Sequence, residues 1–200
     1  MTSFDSAYVV FLFSVALILI TPGPTNTLLA IAGLGLGLRR ALHLLAFEFS
    51  GYFLSISAWG LLLAPLQSQH PWMSPVVKIA SSCYLAYTAV KVWRDARLLQ
   101  TPQQRAITPR MLFIATLLNP KALLFALVLF PAHSFESAPA YALAMASFTC
   151  LLVPIGALWI AVGQLLGARR RAILAPGNIQ RASSVALAMF SAFIFWGAWR

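Results

Sequence analysis

The chain has 200 residues, of which 60% are hydrophobic and only 9% are charged, and its formal net charge is +10. Soluble domains are typically about 25% charged, so this composition excludes an ordinary soluble protein and indicates one embedded in a membrane. The positive charge does not indicate nucleic-acid binding, because the basic residues lie in short segments between hydrophobic stretches.

Hydrophobic stretches along the chain predict a single integral-membrane domain over residues 1–200. Each stretch can form a helix of about 20 residues, the length that crosses a bilayer. In chain order the six stretches are about 7–30, 41–63, 72–93, 111–130, 140–166 and 182–199. Their continuous apolarity differs from the alternation of a membrane β-barrel strand. We therefore expect an all-α membrane protein with six transmembrane helices.

The first stretch is interrupted at residues 21–26 by the sequence TPGPTN. Proline lacks an N–H and clashes with the carbonyl four residues before it, so it breaks or kinks a helix. The freed backbone groups cannot face lipid, and they are tolerated where neighbouring helices satisfy them or where they line a cavity. The second half-helix begins with N–H groups that suit a carboxylate. We therefore predict substrate-binding residues at Pro22, Gly23, Pro24, Thr25 and Asn26.

A second interruption lies in the fourth stretch, at Asn119, Pro120 and Lys121. Three spans are an odd number, so the second half of the chain must enter the membrane upside down relative to the first. Paired interruptions in the two halves are typical of transporters with inverted repeats and a binding site near the midplane. The sequence thus predicts a 3+3 inverted repeat with broken helices 1 and 4, and adds these three residues to the substrate site.

Two charged residues, Glu48 and Lys121, stand out within the hydrophobic stretches. A charge at a helix centre costs about 2.5–3.5 kcal/mol on insertion scales, so it indicates a functional site. Lys121 could contact a substrate carboxylate, pair with Glu48 or extend to the membrane surface. Glu48 could bind a proton or an ammonium group, or neutralise Lys121, and we predict it as the ion-coupling residue.

The loops predict the orientation, because basic residues collect on the cytoplasmic side. Loops on one side carry most of the basic residues, whereas the other side has only Arg200. The eleven basic residues are Arg39, Arg40, Lys91, Arg94, Arg97, Arg105, Arg110, Arg169, Arg170, Arg171 and Arg181. We therefore expect a multi-pass protein of the bacterial inner membrane with both termini on the periplasmic side.

The sequence gives little indication of an enzyme or of a metal site. No stretch presents a nucleophile with a base, so we predict no enzyme and no cofactor. Cys83 and Cys150 lie within hydrophobic stretches, where a disulfide or metal site is not expected. Export of metal cations stays an alternative, with Glu48, His43 and the two cysteines as candidate ligands, although no ligand-type spacing joins them.

The motifs together resemble the LysE/RhtB superfamily of amino-acid exporters. They are TPGPTN, the glycine-rich segment that ends in Arg39 and Arg40, the sequence YLAY followed by KVW, and LLNPKA in the fourth stretch. The resemblance covers essentially the whole chain and implies an inner-membrane exporter of amino acids or similar metabolites. Many members carry an acid in the fifth span, where this chain has Cys150, whereas Glu48 falls where members usually have an uncharged residue.

We therefore expect secondary-active efflux of small amino acids or their derivatives, coupled to protons by antiport and working by alternating access. The alternative is an exporter of metal cations or of another small metabolite. With Glu48 as the acid within the stretches, a neutral or small polar substrate fits better than a dibasic one. The expected partners are the substrate, protons and membrane lipid, and the sequence allows a homo-oligomer.

Overall fold

The computed structural model describes residues 3–70, 72–95, 107–119, 121–131, 133–168 and 176–198, and these residues form helices without any strand. The helices are α1 (Ser3–Ile20), α2 (Pro24–Leu36), α3 (Leu38–Ala41), α4 (Leu44–Gln69), α5 (Met73–Asp95), α6 (Pro109–Leu117), α7 (Lys121–Leu124), α8 (Ala138–Ala168) and α9 (Pro176–Gly197). A π-helical segment, Phe125–Leu129, continues α7. The predicted all-α class is confirmed for the described residues.

Both predicted interruptions are breaks between helices. The axes of α1 and α2 are bent by 56°, and those of α6 and of α7 with its π-helical segment by 49°. Pro24 occupies the first turn of α2, where its missing N–H costs nothing. By contrast, Pro154 lies within the unbroken helix α8, so a single proline does not interrupt that helix.

Length and hydropathy support part of the predicted membrane topology. Over the described residues, Leu38–Leu63 and Ala138–Leu166 are each long and apolar enough to cross a membrane, and each bent pair could supply one more crossing. Helices α5 and α9, with 23 and 22 residues, occupy the remaining predicted stretches. The count of six crossings therefore stays a prediction. Helix α9 begins at Pro176, ahead of the predicted start near residue 182.

Glycines allow the closest helix contacts. A Cβ on Gly33 of α2 would lie 1.9 Å from the Ile160 carbonyl oxygen of α8, and one on Gly163 of α8 would lie 1.8 Å from the Ala30 carbonyl oxygen of α2. The two helices thus meet backbone to backbone. Gly51 gives α4 a similar approach to α6, where its Cβ would lie 2.9 Å from the Phe113 carbonyl oxygen. Small residues at such positions are how membrane helices pack closely.

Two apolar clusters pack around the middle of the molecule. The first is rich in aromatic rings and includes Phe11, Leu19, Tyr52, Ala122, Phe125, Phe148 and Leu152. The second is mostly aliphatic and includes Leu29, Leu44, Leu45, Leu112 and Ile160. On α1–α2, α4, α6–α7 and α8 alike, the chain passes from one cluster to the other. The residues between them on these four elements form a middle layer.

Candidate functional site

The middle layer contains buried polar side chains from three of the four elements. Thr21, Thr25, Asn26, Glu48, Asn119 and Lys121 are each at most 4% exposed. Buried polar groups must be hydrogen-bonded, and buried charges must be paired or solvated, or they cost several kcal/mol. We call these six residues the central site.

Lys121 closes the broken end of α1. Its ammonium donates hydrogen bonds to the Ile18 carbonyl oxygen at 2.9 Å, the Thr21 carbonyl oxygen at 2.8 Å and the Thr21 hydroxyl at 3.2 Å. A helix C-terminus leaves carbonyl groups without partners and carries a partial negative charge, which an ammonium group complements. Lys121 thus does not extend to the membrane surface, one of the three roles that the sequence allowed.

Asn26 stabilises the same break from the other side. Its side-chain nitrogen donates to the Leu19 carbonyl oxygen at 2.7 Å and to the Thr21 carbonyl oxygen at 2.8 Å. The Thr21 carbonyl therefore accepts from both Asn26 and Lys121. Backbone groups that the prolines release are thus satisfied by side chains of the two interrupted motifs.

Gly23 leaves room for the Lys121 ammonium. A Cβ at Gly23 would lie 3.1 Å from the Lys121 Nζ atom. The backbone of Gly23 is extended (φ −159°), a conformation open to any residue, so the reason for glycine here is space and not backbone strain. Pro22 is buried beside it, whereas Pro24 is exposed. Pro24 therefore starts α2 without facing the site.

Asn119 joins the second break to the first. Its side-chain oxygen accepts a hydrogen bond from the Lys121 backbone N–H at 3.1 Å, and its nitrogen donates to the Tyr52 hydroxyl at 3.0 Å and to the Thr25 hydroxyl at 3.5 Å. Asn119 thereby connects α2, α4 and α7. Its neighbour Pro120 lies outside the described residues, so this predicted site residue is not placed.

Glu48 enters the site from α4 with an incomplete set of partners. It is 1% exposed, and its Oε2 atom has no hydrogen-bond partner in the part of the chain that the structure describes. The carboxyl group lies within hydrogen-bonding reach of the Thr25 side chain and within electrostatic range of Lys121. The pairing of Glu48 with Lys121 that the sequence allowed is not a direct one, because His133–Glu136 is the only ion pair within 4 Å among the described residues.

Two residues of this region were not predicted to belong to the site. Tyr52 follows Glu48 by one helical turn and faces the same site, as i, i+4 spacing predicts. Gly156 of α8 lies opposite Glu48, and a Cβ there would be 3.0 Å from the Glu48 Oε2 atom. The spacing could have revealed Tyr52, whereas the role of Gly156 depends on how α8 packs against α4.

A family model described as "LysE type translocator" matches residues 16–197. The chain belongs to the LysE-type translocator family. Proteins of this family are membrane transporters that export amino acids or similar small molecules, and they are not enzymes. The resemblance inferred from the sequence motifs is thus confirmed. Neither a curated protein nor a solved structure gives a further match.

As a LysE-type translocator, the protein encloses its polar site completely. The match spans both interruptions and Glu48, so the central site lies within the family region of the chain. Thr25 is 0% exposed and Lys121 is 3% exposed. Among the described residues, no three His, Cys, Asp or Glu side chains group together as metal ligands. The arrangement offers hydrogen-bond donors, hydrogen-bond acceptors and groups of both charges to a small polar ligand.

Proposed function

We propose that this protein exports neutral or small polar amino acids, or their derivatives, across the bacterial inner membrane in exchange for protons. The observation that carries the proposal is the enclosure of one carboxyl group and one ammonium group at the meeting point of two helix breaks. Glu48 and Lys121 are both buried and do not pair directly. Each can therefore accept a ligand group of opposite charge.

An amino-acid zwitterion carries the two complementary charges. Its carboxylate would replace the Ile18 and Thr21 carbonyls as the partner of Lys121, and its ammonium would bind Glu48. Charge-assisted hydrogen bonds are roughly twice as strong as neutral ones, so this exchange can repay the cost of releasing the carbonyls. A second cationic group on the substrate would find no further acid in the central site, which favours neutral side chains.

The single carboxyl group also offers a route to proton coupling. A buried carboxylate oxygen without a donor is costly while it is ionised, and the Oε2 atom of Glu48 has no donor among the described residues. Glu48 therefore needs either a proton or a substrate ammonium group. Because the two compete for the same carboxyl group, binding of one releases the other. This competition is the basis of antiport.

Alternating access requires two halves that move relative to each other, and we propose a 3+3 inverted repeat for this purpose. Helix packing supports it. The broken helix of each half contacts the long second helix of the other half, α2 with α8 and α4 with α6, and the last helices of the halves, α5 and α9, pack together. A pseudo-twofold axis in the membrane plane relates such contacts.

The charge distribution supports an orientation with both termini on the outer side. Among the described residues, Arg39 and Arg40 lie between the first and second stretches, Arg94 ends the third and Arg110 begins the fourth. These positions all face one side in the proposed topology, and basic residues favour the cytoplasm. Of the other predicted loop arginines, Arg181 lies within α9 and not in a loop, and those from 97 to 105 and from 169 to 171 lie outside the described residues.

The alternative of metal-cation export receives no support from the geometry of the described residues. Cys83, Cys150 and His43 are all exposed, whereas Glu48 is buried, and no three such side chains group together among the described residues. A metal pathway needs several ligands that converge on one point.

An efflux assay with the purified protein tests the proposed function. Proteoliposomes are loaded with radiolabelled amino acids, and release is measured with and without an inward pH gradient. We expect the gradient to accelerate efflux of neutral amino acids, and Lys121→Met to abolish it. Lys91→Met is the matched control, because Lys91 is exposed and should be dispensable. Full efflux by a correctly folded Lys121→Met protein, or no efflux of any amino acid by the unmodified protein, would contradict the proposal.

A further inference from the structure

A second cavity lies away from the central site, at the end of the molecule that faces the periplasm in the proposed orientation. Its volume is about 720 Å3. It is bounded by α1, α5, the π-helical segment, the loop before α8, α8 itself and α9. We call it the outer cavity. None of the six residues of the central site lines it.

The lining of the outer cavity is mostly apolar but includes one lysine. Lys78 of α5 is half-buried and lines the cavity. The sequence patterns did not indicate this residue as part of a site. Its ammonium has one hydrogen-bond acceptor among the described residues, the Gly197 carbonyl oxygen at 3.3 Å. An ammonium group can donate three hydrogen bonds, so Lys78 retains capacity for a ligand.

Among the described lining residues, no acidic group neutralises Lys78. No Asp or Glu is among the described residues that line the cavity. The lining residue His133 forms a hydrogen bond with Glu136 at 2.9 Å, outside the lining. A cation in an apolar cavity without an acid favours a ligand with an anionic end and an apolar body.

The outer cavity and the central site share two elements. Ser14 lines the cavity and precedes by one turn Ile18, whose carbonyl accepts from Lys121. Leu129 lines the cavity from the end of the π-helical segment that continues α7. π-Helical turns occur frequently at functional sites. A ligand that leaves the central site along α1 and α7 would thus enter the outer cavity.

An aromatic cluster occupies the space between the two sites. Phe125 packs edge to face against Phe148, with ring centroids 5.0 Å apart, and against Tyr52 at 5.7 Å. Phe125 lies four residues after Lys121, and Tyr52 contacts Asn119 of the central site. In this conformation the central site is enclosed whereas the outer cavity is open, so the outer cavity can be occupied while the central site is closed.

We propose that the outer cavity is a second binding site, which holds the exported amino acid by its carboxylate at Lys78 and by an apolar side chain against the remaining lining. This site deepens the proposed function and rests on it, since it narrows the substrate class to amino acids with apolar side chains. A lipid with an anionic headgroup also has an anionic end and an apolar body. The experiments below therefore distinguish a bound lipid from a bound amino acid.

Binding of radiolabelled L-leucine to the protein in phosphatidylcholine nanodiscs tests the site. We expect Lys78→Gln to weaken leucine binding by about 10- to 100-fold, the loss of one charge-assisted contact. Lys91→Gln, on the same helix but exposed, should leave it unchanged. Glycine, which lacks the side chain, and leucinamide, which lacks the carboxylate, should compete poorly. Equal leucine binding by the Lys78→Gln and unmodified proteins would overturn the proposal.

A second pair of variants tests the cavity without changing charge. Ala140 lines the outer cavity, whereas its near neighbour Ala142 is exposed and does not line it. Ala140→Trp should fill the cavity and reduce leucine binding, and Ala142→Trp should not. If phosphatidylglycerol in the nanodiscs displaces leucine from the unmodified protein at all leucine concentrations tested, the occupant is lipid and the proposal is overturned.

The Lys121→Met background separates this proposal from the proposed function. Leucine binding that persists there and still depends on Lys78 belongs to the outer cavity and supports it. If Lys121→Met retains export while Lys78-dependent binding is seen, only the proposed function falls. If Lys121→Met loses export and Lys78→Gln leaves binding unchanged, only the outer site falls.

Discussion

At the residue scale, one ammonium group connects the stability of the fold to its function. Lys121 satisfies carbonyl groups that the broken end of α1 cannot satisfy itself, at 2.8 and 2.9 Å. The same hydrogen bonds can be exchanged for those of a carboxylate. A lysine suits this exchange because its ammonium is a compact charge on a flexible stem. In the proposed function, the broken helix supplies the partner that holds the Lys121 ammonium in the absence of substrate.

Gly23→Ala should impair transport more than stability. The new Cβ would lie 3.1 Å from the Lys121 Nζ atom and 3.2 Å from its Cε atom, so the far end of a flexible side chain must move. We expect efflux to fall by about tenfold, equivalent to weakening one hydrogen bond of a charged group, with little change in the thermal midpoint. Gly35→Ala is the control, since a Cβ there meets nothing within 4 Å. Unchanged efflux by Gly23→Ala would show that Lys121 need not keep its position.

Glu48→Gln should remove the dependence of efflux on the pH gradient. The amide keeps the size of the side chain but can neither release nor bind the coupling proton. We expect residual exchange of amino acids that is equally fast with and without an inward pH gradient, measured in the same proteoliposomes as the unmodified protein. Gln164→Glu, at the exposed cytoplasmic end of α8 in the proposed orientation, is a control for adding an acid elsewhere. A pH dependence that survives Glu48→Gln would exclude Glu48 as the proton carrier.

At the element scale, the breaks in α1–α2 and α6–α7 are local features, whereas their consequences depend on packing. A proline-rich interruption predicts a break from the chemistry of one residue type, and both breaks lie where the sequence predicted them. One partner of the freed carbonyls, Asn26, is close in the chain, whereas the other, Lys121, is distant from them. Which of its possible partners Lys121 contacts could therefore not be predicted from its position alone.

Other features escaped prediction for a similar reason. Hydropathy did not reveal Lys78, because it averages a lysine together with its apolar neighbours. The cavity that Lys78 lines could not be predicted either, because five other elements form it. Helix α9 begins at Pro176, where proline is favourable as a first helical residue. Hydropathy predicted a later start because the first turns of the helix are polar. The reciprocal packing of Gly33 and Gly163 depends on how α2 and α8 meet, which a single residue's place in the sequence does not specify.

Gly163→Ala should destabilise the α2–α8 contact. The new Cβ would lie 1.8 Å from the Ala30 carbonyl oxygen, and backbone cannot move aside as a side chain can. Overpacking of this kind costs about 1–3 kcal/mol, so we expect a lower thermal midpoint in detergent. Gly197→Ala, where a Cβ meets nothing within 4 Å, should behave like the unmodified protein. An unchanged midpoint for Gly163→Ala would mean that the two helices are not in backbone contact in the membrane.

At the scale of the whole molecule, the middle layer lies between an aromatic and an aliphatic cluster. Along α1–α2 and α8 the chain passes from the aromatic cluster to the aliphatic one, and along α4 and α6–α7 it passes in the opposite direction. This alternation is what elements entering a membrane from opposite sides produce. In the proposed topology the central site therefore lies at mid-depth, with the aromatic cluster toward the side of the outer cavity.

The orientation in the membrane can be tested with single cysteines. Cys83 and Cys150 are exposed, so both are first replaced by serine. Glu136→Cys, in the exposed loop before α8, should react with a membrane-impermeant maleimide in spheroplasts, whereas Arg40→Cys, exposed between α2 and α4, should react only after lysis. The positive-inside rule sets this expectation because arginines beside the spans resist transfer across the membrane. The reverse pattern would place the outer cavity on the cytoplasmic side. Lys78 would then line the entrance of the export route. The aromatic cluster would lie between that entrance and the central site, and not between the central site and the exit.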